Sequence, residues 1–119
     1  MAHHAPSHAH ISSYRTMVLL VLFDLPTKSP QERRCYAQFR KKLEYGGFVP
    51  LQYSVYMRSC PSVQAADRHV GIVEAIAPPR GHISILRVTE QQMVKMVNIH
   101  RAYKENPAKI TPTRQLTIF

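Results

Sequence analysis

Seven consecutive apolar residues, Met17-Val18-Leu19-Leu20-Val21-Leu22-Phe23, end abruptly at Asp24 and Pro26. The run lacks the polar alternation of a half-exposed strand and, closed by Asp24 and Pro26, it predicts a central β-strand covered on both faces. It is far shorter than the roughly 20 apolar residues that span a bilayer. Asp24 then stands at the strand's C-terminal end, where a carboxylate withdrawn from water needs a cation or several hydrogen-bond donors to offset its desolvation.

Downstream, Ser29-Pro30-Gln31-Glu32 supplies an N-cap, a proline at the first helical position and an acid in the first turn. The spacing predicts a helix to about Tyr45, stopped by Gly46-Gly47. Cys35, Tyr36, Phe39 and Leu43 fall on one side of it, Arg33, Arg34 and Lys41 on the other, with Arg40 and Lys42 flanking. Phe48 to Ser59 is rich in strand formers and is long enough for two short strands or one bulged strand. Ser59 or Ser62 caps a second helix whose stripe is Val63, Ala66, Val70, Val73 and Ala77, ended by Pro78-Pro79. Gly81 to Val88 predicts another strand, and Met93 to Ile99 a further strand or a short helix.

The order βαββαβ plus one element predicts an α+β, ferredoxin-like fold, an antiparallel sheet with both helices on one face. Little chain remains to cover the other face, so a second copy or a nucleic acid is expected there. We divide the chain into residues 1–13, a tag or disordered leader holding His3, His4, His8 and His10; residues 14–101, the domain; and residues 102–119, a flexible tail with the apolar end Leu116-Thr117-Ile118-Phe119.

Charge narrows the partners. Sixteen Lys and Arg against seven Asp and Glu give a net +9, an excess that favours a polyanion such as nucleic acid. Arg33, Arg34, Arg40, Lys41 and Lys42 place five cations within ten residues, the best candidates for phosphate contact. The competing reading is a solvated helix face, but only Glu32 and Glu44 flank them. The basic residues do not gather beside one exposed apolar helix face, which disfavours a membrane surface. Cys35 and Cys60 match neither a metal pair nor a disulfide framework, and a reducing cytoplasm is the expected compartment. His69, His82 and His100 show no metal-ligand spacing, and no Ser-His-Asp set or phosphate-cradling glycine loop is present.

Several segments together resemble a known family. These are the strand ending Phe23-Asp24-Leu25-Pro26, Arg33-Arg34 at a helix start, Gly47-Phe48, Gln52-Tyr53-Ser54-Val55-Tyr56, Arg58-Ser59-Cys60-Pro61-Ser62, and Pro78-Pro79-Arg80-Gly81-His82 with Ile85-Leu86. In this order they are similar to the second of the two universal CRISPR-associated proteins, the small partner of the spacer integrase, and look like members found beside a single RNA-guided effector nuclease. The resemblance covers about Tyr14 to Ile99. The chain departs from the pattern in carrying Tyr56 where Phe is commoner and Pro50 where several relatives carry Arg.

The resemblance implies a homodimer that lies along double-stranded DNA and bridges two dimers of the CRISPR integrase. Relatives are named for a metal-dependent endonuclease activity, which implies a catalytic Asp24 and one Mg²⁺ (or Mn²⁺) shared between the Asp24 residues of two subunits. The plainer reading is that Asp24 caps the next segment or pairs with an Arg. Ser54 and Tyr56 are candidate supporting residues, Ser54 by bonding a phosphate or a metal-bound water; a structural role competes for both. Tyr53 and Tyr56 either stack on bases or pack in the core or at a dimer contact. A single-stranded RNA-binding module ranks last, because the first strand offers only Phe23 among aliphatics. Leu116, Ile118 and Phe119 are candidate docking residues for the integrase, for the effector nuclease, or for the sliding clamp, whose docking peptides Gln115 to Phe119 resembles.

Overall fold

The computed structural model describes residues 16–101. The predicted leader and the tail with Leu116, Ile118 and Phe119 lie outside the described residues. The elements are β1 (Met17–Asp24), α1 (Pro30–Tyr45), β2 (Val49–Gln52), β3 (Val55–Cys60), α2 (Val63–Ile76), β4 (His82–Thr89) and α3 (Glu90–Val94). All strand pairs are antiparallel, in the order β2-β3-β1-β4. That is the ferredoxin-like order, and it puts the uninterrupted apolar strand between two neighbours.

Local chemistry places the helix ends. Ser29 Oγ accepts from the Glu32 N–H at 3.1 Å, while Glu32 Oε1 accepts from the Ser29 N–H at 3.0 Å, a reciprocal capping box with Pro30 at its start. Gly47, after the α1 C-terminus, has φ +89, and a Cβ there would collide with the Arg58 guanidinium. For α2 the cap is Ser62 rather than Ser59, its Oγ accepting from the Ala65 N–H at 3.1 Å. Ala77 leaves the predicted stripe: it is the C-cap, exposed, and extended as residues before proline prefer to be.

Leu19, Val21 and Phe23 alternate inward from β1 onto Tyr36, Phe39 and Leu43 of α1 and Ala66 and Val73 of α2. The Phe23 and Phe39 rings meet edge to face with centroids 5.1 Å apart, a favoured aromatic geometry. Val18, Leu20 and Met57 form the opposite face, and the chain covers part of it itself. The element expected at Met93–Ile99 starts earlier, at Glu90, because Thr89 ends β4 and caps α3 at once, its Oγ1 accepting from the Gln92 N–H at 3.1 Å. Met93 is thereby buried over Val18, Leu20 and Met57. Leu22 and Leu86, 38% and 52% exposed, remain open on this face.

Candidate nucleic-acid interface and strand-end carboxylate

Asp24 closes β1, and its place corrects the expectation of a buried carboxylate. Phe23 takes the inward position, so alternation sends Asp24 to the open face with Leu22, where it is exposed. Its partner across the β1–β4 ladder is His82, also exposed, whose Nε2 lies 3.2 Å from Ser84 Oγ. Among the described residues no three His, Cys, Asp or Glu side chains gather into a possible metal site. The described residues of one chain therefore do not by themselves gather a divalent-cation site.

Ser54 belongs to the two-residue β2–β3 turn, not to a strand, and adopts φ +62. Its carbonyl accepts from the Phe23 N–H at 3.1 Å, tying the turn to the residue before Asp24. Its Oγ shares a 2.8 Å hydrogen bond with the Tyr36 hydroxyl. Tyr53, beside it, is 83% exposed and stacks on the Tyr36 ring, centroids 6.1 Å apart and planes at 26°.

Tyr56 lies on the helix side of the sheet, away from Asp24. Buried among the helix-side residues, its hydroxyl donates to Glu44 Oε2 at 2.9 Å and accepts from Arg40 Nε at 3.2 Å. Burial raises the phenol's pKa, keeping it protonated for the bond to Glu44. Tyr56 and Asp24 thus face opposite sides of the sheet and are not brought together, whereas Ser54 adjoins the end of β1.

The five predicted cations divide into two groups. Arg33 Nη1 donates to the carbonyls of Thr27 and Lys28 at 3.0 and 2.9 Å, closing the β1–α1 loop. Arg40 is held by Tyr56, and its guanidinium carbon lies 5.9 Å from the Tyr36 ring centroid. Arg34, Lys41 and Lys42 are exposed on α1 and make no side-chain hydrogen bond or ion pair among the described residues. Two of the five cations are engaged within the fold, and three are unengaged among the described residues.

One polar cluster escaped sequence reasoning. Arg58 points inward from β3, donating Nε–H to His69 Nε2 at 3.1 Å and Nη1–H to the Gly46 carbonyl at 2.9 Å. Burial, followed by the positive charges of Arg58 and Arg68, holds the His69 imidazole below its usual pKa. The signal was present: Tyr56, Arg58 and Cys60 alternate on one face of a strand, so an arginine there must find internal acceptors.

Comparison with known proteins places this arrangement in context. Residues 17–96 match the family model described as CRISPR associated protein Cas2. Over 103 residues the chain is 38% identical to the CRISPR-associated endoribonuclease Cas2 of Parvibaculum lavamentivorans, covering 87% of this chain and 100% of the relative. It is 34% identical over 113 residues to the protein of the same name from Flavobacterium psychrophilum, covering 94% and 96%. A third relative, CRISPR-associated endoribonuclease Cas2 2 of Rhodospirillum rubrum, is 36% identical over 108 residues, covering 89% and 96%.

Proposed function

The chain belongs to the CRISPR-associated Cas2 family, and from that premise we propose that it serves CRISPR adaptation as a homodimer that binds double-stranded DNA and bridges dimers of the integrase, in a system with a single RNA-guided effector. The observation that carries the reading is the exposed cationic side of α1, where Arg34, Lys41 and Lys42 lie on a helix whose other side is fixed to the sheet by Tyr36, Phe39 and Leu43. A rigid row of cations with no base-reading constellation suits contact with phosphates rather than sequence recognition. The exposed Leu22 and Leu86 supply the apolar centre of a contact with a second copy. Mixed with purified integrase and a duplex, the full chain should co-elute as one complex, and omitting it should abolish paired integration. Paired integration that proceeds equally well without the chain overturns the reading.

A second reading, a metal-dependent endonuclease, is favoured by the names of the relatives and by the solvent-facing carboxylate of Asp24 at a strand end, which has no ion-pair partner among the described residues. Since the described residues of one chain gather no cation site, Mg²⁺ or Mn²⁺ would be held by Asp24 from both subunits together with water or substrate oxygens. Asp24→Asn should remove any cleavage of RNA or DNA while leaving DNA binding and integration intact. Cleavage surviving in the purified variant moves the chemistry to another residue, and loss of integration shows that Asp24 is structural.

A further inference from the structure

Among the described residues Tyr45 and Tyr53 are both strongly exposed aromatics, and of the two Tyr53 stacks on a buried ring. It sits at the tip of a two-residue turn, 83% exposed, where a solvent-facing polar residue would satisfy the fold equally well. Its ring is nevertheless held in place. One face stacks on Tyr36, a buried residue in contact with Phe23 and Arg40. The turn beneath it is fastened twice, by the Phe23 N–H to the Ser54 carbonyl and by the Ser54–Tyr36 hydroxyl pair. The outcome is an aromatic ring with fixed orientation and an open outer face, stacked on the Tyr36 ring that Arg40 also contacts and tied through its turn to Phe23 near the end of β1.

A flat hydrophobic face of this kind, on a strongly basic chain, has the chemistry that receives an unpaired nucleobase. Base stacking on an aromatic ring tolerates any sequence, because every base has a π-face. A paired base inside a duplex offers no free face, so such a platform recognises a single-stranded end or overhang. We propose that Tyr53 is a stacking platform for an unpaired nucleobase of the bound nucleic acid, positioning a single-stranded end beside the β1 terminus. The inference rests on the nucleic-acid reading above and adds a substrate feature to it: a junction between duplex and single strand. The free cations of α1 hold the duplex, and Tyr53 marks where pairing stops.

The chain contains no tryptophan, so Tyr53→Trp in the full-length protein gives a single reporter at this position. Its fluorescence should be quenched by a duplex with a short single-stranded overhang, in RNA or DNA, and not by the same duplex with blunt ends or with abasic overhang sugars. Tyr53→Ala should weaken binding of the overhang substrate about tenfold, within the range measured for loss of one base stack, and leave blunt-duplex affinity unchanged. Tyr53→Phe should retain the overhang preference. Quenching that ignores the overhang or the missing base overturns the proposal, as does a tryptophan already shielded from iodide without nucleic acid, which would mean that a second copy covers the residue. Wild-type protein that binds no nucleic acid at all removes the underlying reading too, whereas binding indifferent to overhangs removes only this inference.

Discussion

If the free cations of α1 carry the duplex, removing them must change how affinity responds to salt by an amount the structure sets. Of the five cations on the helix, Arg33 and Arg40 are consumed by internal hydrogen bonds, leaving Arg34, Lys41 and Lys42. Each phosphate neutralised contributes about 0.9 to the slope of log affinity against log salt, so three contacts contribute about 2.7 per chain. Between 50 and 200 mM salt, a fourfold change, those contacts account for a roughly 40-fold loss of affinity that a triple alanine variant should not show. Fluorescence anisotropy of a labelled blunt duplex across this range, with wild type and the Arg34→Ala, Lys41→Ala, Lys42→Ala variant, measures both slopes. Arg40→Ala is the contrasting control: it removes a donor to buried Tyr56 and should act on stability more than on the slope. Equal slopes for wild type and triple variant would refute the assignment, and a slope lost on Arg40→Ala alone would mean that the structural cation is the one meeting phosphate.

Three further outcomes follow from the packing. Met93→Ala uncovers Val18, Leu20 and Met57 and should cost about 2–3 kcal/mol, or roughly 10–20 °C in Tm; a loss below about 0.5 kcal/mol in urea melts would mean that α3 does not support that face. Because the folded pKa of His69 is lowered, its stabilising contribution is complete above the unfolded value of about 6.5 and is lost as pH falls through the folded one; His69→Gln should flatten this part of the acid dependence, and identical urea-midpoint profiles for the two proteins between pH 7.5 and 5.5 would contradict it. Light scattering should give a dimer mass at micromolar concentration, converted to monomer by Leu22→Glu with Leu86→Glu; a wild-type monomer removes the proposed self-contact.

Periodicity made the scaffold legible. Of the apolar stripe expected on α1, Tyr36, Phe39 and Leu43 are buried while Cys35 is half-buried at its margin, and β1 is the inner strand that its unbroken apolar run requires. What stayed hidden depends on which side of the sheet a terminal residue takes. Asp24 follows a buried run that suggests burial for it too, but a single step of alternation after Phe23 turns it to solvent. Tyr53 and Ser54 resisted for a different reason: a dipeptide turn with positive φ at Ser54 lacks the glycine or asparagine that normally announces it. The division of the cations was likewise invisible, since Arg33 and Arg34 differ only by 100° around a helix and by what the preceding loop offers as acceptors.

The two edges of the sheet differ in a way that bears on how copies of this chain accumulate. β2 is four residues long, contains Pro50, which has no N–H to give, and is interrupted by a bulge before Gln52, so its outer rim is a poor template for another strand. β4 is eight residues long, and among the described residues nothing pairs with its outer rim. A particle with two competent rims can elongate without limit, as fibrils do, whereas one with a single competent rim is capped by its first partner. The proline and the bulge thus leave the rim of the short strand ill-suited to strand addition, so that a contact of this kind between copies would have the rim of β4 alone to use.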